Sequence, residues 1–142
     1  DENEKLKKEI ERYINLQVTV VKDSLVKKAE PLNGMNVVSG VVNMPSMDAL
    51  KKLCYDVKNE IKNLFMVVGT EADGKVMIAV MIDEELVKTK NLNAGKIIKE
   101  ISAEINGGGG GQPHFATAGG TNAKGLEKAI LLAREKINSV NV

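Results

Sequence analysis

A chain of 142 residues has room for one domain with a moderate core and an appended element, and little room for two large independent domains. With 43% hydrophobic and 27% charged residues, the composition argues against disorder, and no apolar run approaches the roughly 18 residues of a membrane helix. A net charge of +1 gives no global pull on nucleic acid, one cysteine excludes an internal disulfide, one histidine leaves no Cys/His set for zinc, and 3% aromatics argue against a base-stacking platform for single-stranded RNA. A reducing cytoplasm is the simplest compartment for such a chain. Because it opens at Asp1 inside a charged run, with no initiator Met, it reads as a piece of something longer.

From Asp1 to about Glu30, Leu6, Ile10, Tyr13, Ile14, Val18, Val21 and Leu25 recur at helical spacing among many charges, predicting one long amphipathic helix. Gln17 and the β-branched Val18, Val20 and Val21 suggest a break there, and Pro31 with Gly34 marks the stop. The arm, residues 1–33, has the character of a coiled-coil end, and residues 34–142 read as a globular unit. Asn36 to Val42 is Val-rich and predicts a strand, with Gly40 suggesting a bulge or close packing.

Pro45 and Ser46 open a helix with Met47, Leu50, Leu53, Cys54, Val57 and Ile61 on its apolar face, and lysines 51, 52, 58 and 62 mostly outward. Cys54 falls on the buried side, as a small core residue. Two apolar runs, Leu64 to Val68 and Val76 to Ile82, flank Glu71-Ala-Asp-Gly74, the composition of an antiparallel hairpin turn. Strand, helix and strand imply a parallel crossover and therefore a mixed sheet. A polar stretch with Lys88 and Lys90 follows, and Asn93 then caps a helix carrying Ala94, Ile97, Ile98, Ile101 and Ile105. A left-handed cap is expected at Asn106-Gly107. Thr121 or Asn122 caps a last helix with Leu126, Ile130, Ala133 and Ile137 at helical spacing. The expected fold class is α/β (α+β): a long helical arm, then a small mixed sheet flanked by helices.

Between the last two helices runs Gly107-Gly108-Gly109-Gly110-Gly111-Gln112-Pro113-His114-Phe115-Ala116-Thr117-Ala118-Gly119-Gly120. A nucleotide-binding P-loop requires a preceding strand and a Gly-Lys-Ser/Thr ending, and a dinucleotide fingerprint must also follow a strand, so neither pattern fits. A flexible linker stays open, although Pro113, Phe115, Ala116 and Ala118 suit a packed loop better. Gly119-Gly120 precedes a helix start whose amides could hold an anion.

This segment resembles the signature of the DHH-associated domain, which closes alanyl-tRNA synthetases and also serves DHH-family phosphoesterases as a substrate-binding domain. In the synthetase version a glycine run is followed by a basic residue, Pro, two variable residues, Ala, two variable residues and Gly-Gly. The chain matches at Gly107 to Gly111, Pro113, Ala116, Gly119 and Gly120, with Gln112 where the family commonly has Arg. The phosphoesterase version places His directly after fewer glycines, whereas Gln112-Pro113 precedes His114 here, so the resemblance favours the synthetase C-terminal domain.

The resemblance implies a non-catalytic domain that contacts the outer corner of tRNA(Ala) and helps aminoacylation and editing domains of one parent chain act on one tRNA, with a homodimer in some members. ATP, magnesium and zinc are expected only in the parent chain, and no cofactor in this part. Candidate RNA contacts are the amides of Gly107, Gly108, Gly109, Gly110 and Gly111, the side chains of Gln112 and His114, and Lys88, Lys90, Lys96, Lys99 and Lys124. Two other functions stay open, an oligomerisation module of the synthetase and the nucleotide-binding domain of a DHH-family phosphoesterase.

Overall fold

A computed structural model describes residues 2–138. Helix α1 (Glu2–Lys27) runs 26 residues without the expected break at Gln17 to Val21. Tertiary contact outweighs the weak propensity of the valines there. Val18 and Leu25 are buried against the next helix, Gln17 donates from Nε2 to the Asn43 carbonyl at 3.0 Å, and Lys22 Nζ meets Glu60 at 2.8 Å. The helix ends before Pro31, which instead lies in a short strand, β1 (Glu30–Leu32). Asn33 and Gly34, with φ of 52° and 79°, turn the chain into β2 (Met35–Val41), both central residues in the positive-φ region of a type I′ hairpin.

Ser46 caps α2 (Met47–Glu60) by accepting from the Ala49 amide at 3.2 Å. Leu50, Leu53, Cys54 and Val57 are fully buried beneath it, each aliphatic side chain contributing about 1.5–3 kcal/mol. The expected hairpin forms from β3 (Leu64–Ala72) and β4 (Lys75–Ile82) around Asp73-Gly74. β2 pairs with β3 in parallel through an uninterrupted register, so Gly40 makes no bulge.

The polar stretch around Lys88 holds a further helix. Asp83 accepts from the Glu85 amide at 3.2 Å and caps a short helix, α3 (Glu84–Thr89), whose Leu86 is buried. Asn93 caps α4 (Ala94–Ile101) as expected, and a 3-10 helix (Ser102–Ile105) carries the chain to a left-handed Asn106. The glycine segment then forms strands β5 (Gly108–Gly111) and β6 (Phe115–Gly120), where a packed loop was expected. A 3-10 turn (Ala123–Gly125) leads into α5 (Leu126–Asn138), so neither Thr121 nor Asn122 caps that helix through its side chain.

The six strands form one mixed sheet in the order β1-β2-β3-β4-β6-β5. One face packs Val38, Met66, Val68, Ala79 and Met81 against α1 and α2. On the other, Phe65, Val67, Ile78 and Val80 pack against α3, α4 and α5. The expected arm followed by a mixed sheet flanked by helices is therefore present, with the glycine hairpin added as an outer edge.

Candidate nucleic-acid interface

β5 contains no residue but glycine and stands at the edge of the sheet, paired among the described residues only with β6. Gln112 and Phe115 exchange both backbone hydrogen bonds across the tip, at 2.8 and 3.3 Å. By the alternation of an antiparallel ladder, Gly110 with Thr117 and Gly108 with Gly119 are the next bonded pairs, which turns the Gly109 and Gly111 amides toward the open edge. A Cβ on Gly109 would lie 2.5 Å from Ala118 Cα and overlap the Thr117 carbonyl oxygen, whereas Gly108 faces empty space. The run thus combines required glycines with tolerant ones.

The hairpin is pinned at both ends. The Pro113 carbonyl accepts from the Ala94 amide at 2.8 Å, at the start of α4, and the His114 carbonyl accepts from the Ile82 amide at 2.8 Å. At the other end, the Thr121 and Asn122 amides both donate to the Ile105 carbonyl at 2.9 Å. Those two amides are therefore engaged within the chain. Gln112 is exposed and His114 half-buried, on the tip.

Of the expected lysines, two come to the hairpin. Lys99 Cε lies 3.9 Å from the position of a Cβ on Gly110, and Lys96 shares an open groove with Asn91, Asn93 and Pro113 at the tip. Lys90 reaches the Asn33-Gly34 turn at the far side of the sheet, its Nζ 3.8 Å from the position of a Cβ on Gly34. Lys88 is exposed on α3, and Lys124 sits in the 3-10 turn that packs near Glu104, at the hairpin end opposite its tip.

Residues directly opposite in an antiparallel pair share a face. Phe115, Thr117 and Gly119 stand opposite Met81, Ala79 and Met77, and so lie on the α1/α2 side of the sheet, while Ala116 and Ala118 are buried on the α4 side. Thr117 is half-buried and Gly119 exposed. Phe115 is partly buried against the α2-side core and meets Tyr55 of α2, ring centroids 5.3 Å apart and planes tilted by 60°. Two of the few aromatic residues thus gather beside the glycine hairpin. Among the described residues, no cluster of His, Cys, Asp and Glu could hold a metal ion, and no helix is long and apolar enough to cross a membrane. Burial pushes the Cys54 thiol up to about 12, which fits a packing residue rather than a nucleophile.

A two-layered helical covering of a mixed sheet with a glycine hairpin at its edge defines a recognisable class, and the chain belongs to the DHHA1 domain family, which it matches over residues 34–139. Within that family its sequence is similar to a segment of alanine–tRNA ligases. It is 41% identical over 132 residues to the alanine–tRNA ligase of Cytophaga hutchinsonii, covering 93% of this chain and 15% of that protein. Against the Bacteroides fragilis enzyme the figures are 43% over 131 residues, 92% and 15%. The chain therefore spans about 15% of the length of these relatives. The fold is that of the C-Ala domain of Aquifex aeolicus alanyl-tRNA synthetase, with TM-score 0.70 at 21% identity, covering 78% of this chain and 98% of that one. A DHH domain described as a member of the S1p family of ribosomal proteins also shares it, with TM-score 0.62 at 12% identity, over 95% of this chain and 33% of that one.

Proposed function

We propose that the chain is a non-catalytic tRNA-binding domain of an alanine–tRNA ligase, contacting the outer corner of tRNA(Ala) and helping aminoacylation and editing domains of the same protein act on one tRNA. The observation that carries this reading is the β5 edge: a side-chain-free strand with outward amides at Gly109 and Gly111, flanked by Lys96 and Lys99. A polynucleotide backbone can approach such an edge closely, and its phosphates and 2′-hydroxyls take up amide and ammonium donors. Gly108 and Gly110 belong to the same strand, Gly107, Gln112 and His114 flank it, and Lys88 and Lys124 would act as peripheral phosphate contacts, whereas Lys90, at the opposite edge of the sheet, is left out of this contact. ATP, magnesium and zinc belong to the rest of such a ligase, in the cytoplasm, where tRNA is charged.

Filter binding of tRNA across a salt series tests the reading. The wild type binds at low salt with an affinity that falls as salt rises, and Lys96→Glu with Lys99→Glu flattens that slope by about 1.4–1.8 if two phosphate contacts are lost. No binding above that of an unrelated protein at low salt refutes it.

One observation favours assembly as a second role. Leu6, Ile10, Tyr13, Leu16 and Val20 of α1 are 56–74% exposed, an apolar stripe left uncovered among the described residues. Sedimentation showing a monomer at all concentrations removes that role.

A further inference from the structure

The glycine hairpin has two faces, and only one is covered. On the α4 side Ala116 and Ala118 are buried, whereas on the α2 side Thr117 and Gly119 remain open beside a strand that has no side chains at all. The result is a flat floor with a single hydroxyl on it. Beside it stands α2, whose Lys51, Tyr55 and Lys58, spaced by four and three residues, fall within an arc of about 60° on a helix of 3.6 residues per turn. Tyr55 is 45% exposed although its ring meets Phe115. Among the described residues neither Lys51 nor Lys58 has a carboxylate within salt-bridge distance, while the neighbouring Lys52 is engaged by Asp56 at 3.7 Å.

We propose that this α2-side floor is a second RNA contact, in which Lys51 and Lys58 hold the backbone and an unstacked nucleobase lies against Tyr55 over the bare surface of the hairpin. A floor on which Thr117 is the one side chain beyond Phe115 admits the plane of a base, an aromatic ring at its border gives it a stacking partner, and two cations on the same helix face lie within reach of the adjoining phosphates. An acidic protein surface would use the cations but has no need of the ring or the floor. The proposal rests on the RNA-binding reading above and moves part of the contact from the α4 side to the α2 side.

The test uses this chain with unfractionated tRNA and with a blunt RNA duplex of similar length that presents no unstacked base. Tyr55→Ala lowers tRNA affinity by about fivefold or more and leaves duplex affinity unchanged, while Tyr55→Phe stays near wild type. The pair Lys51→Gln and Lys58→Gln flattens the tRNA salt slope by about 1.4–1.8, and circular dichroism shows these variants folded. Unchanged tRNA binding by all of these variants, with the wild type binding, overturns the second contact and leaves the β5 edge reading standing. Equal losses on tRNA and duplex for Tyr55→Ala overturn the seating of a base, because the ring would then act only through packing. Absence of wild-type binding overturns both readings.

Discussion

Replacing Gly109 by Ala tests whether β5 is a packed strand or a tether. The new Cβ would sit 2.5 Å from Ala118 Cα and 2.8 Å from Ala118 Cβ, against backbone that β4 and β6 hold in register. Ordinary carbon contacts begin near 3.5 Å, so β5 has to withdraw by about 1 Å. That movement strains or breaks the flanking bonded pairs Gly108 with Gly119 and Gly110 with Thr117. Overpacking of this kind costs about 1–3 kcal/mol and each lost hydrogen bond about 0.5–1.5, so the expected loss is about 2–4 kcal/mol. In a thermal melt that is roughly 6–15 °C. Gly110→Ala is the matched control. Its Cβ meets only Lys99 Cε, at 3.9 Å, and the restricted unfolded chain leaves the protein unchanged or up to about 1 kcal/mol more stable. Urea unfolding followed by circular dichroism gives both numbers, and hydrogen exchange at Thr117 and Ala118 reports opening confined to the hairpin. Equal stability of the two variants, with unaltered exchange, would refute the close approach of β5 to β6 and return the segment to a linker.

Further expectations concern the interior. Gly125→Ala places a Cβ on the Glu104 carbonyl at a buried position and lowers the urea midpoint by the equivalent of about 1–3 kcal/mol; a wild-type midpoint would contradict that packing. Thr70 is fully buried and its hydroxyl accepts from the Met44 amide at 3.1 Å, so Thr70→Val leaves that amide unsatisfied and costs about 1–3 kcal/mol by equilibrium unfolding. The Cys54 thiol, raised by burial from 9.0 to about 12, ionises earlier in the unfolded chain than in the folded one. Its contribution to stability is therefore complete below about pH 9 and is lost as pH rises toward about 12, a slope that Cys54→Ala should remove in pH-dependent unfolding. The same burial predicts that thiol reagents label Cys54 only on unfolding, and rapid labelling of the native protein would contradict it.

Much of the fold was legible because periodicity reports which face of an element meets the core. The apolar spacing from Leu50 to Val57 and from Leu126 to Ile137 marked α2 and α5, and Asp73-Gly74 marked its hairpin. Where local signals compete, reading failed. Pro31 and Gly34 do follow the end of α1, but nothing local showed that they also build an edge strand and its turn, for which β2 supplies the pairing partner. Asp83 caps α3 within a stretch too short and charged for periodicity to speak. The candidate interface was half legible. The glycine run drew notice at once, and Lys96 and Lys99 follow from their place on α4, but nothing local says that Lys90 lies at the far side of the sheet or that Tyr55 stands beside Phe115. The one available hint was the spacing of Lys51, Tyr55 and Lys58 on the polar side of α2.

By itself the sequence determined the class of fold, the helices with a single apolar face, and the glycine motif by which the chain is assigned to its family. Only the tertiary structure decided what the glycines do. Strand formation by residues without side chains has no signature in hydrophobic pattern, because pattern is carried by side chains; β6 and α4 impose it, through the backbone ladder and through the Pro113 carbonyl held by the Ala94 amide. Four of the five glycines, Gly108 to Gly111, are thus an edge strand, with Gly109 closed in by Ala118 and open space beside Gly108, and the bare surface they leave is a consequence of packing that no local reading contains.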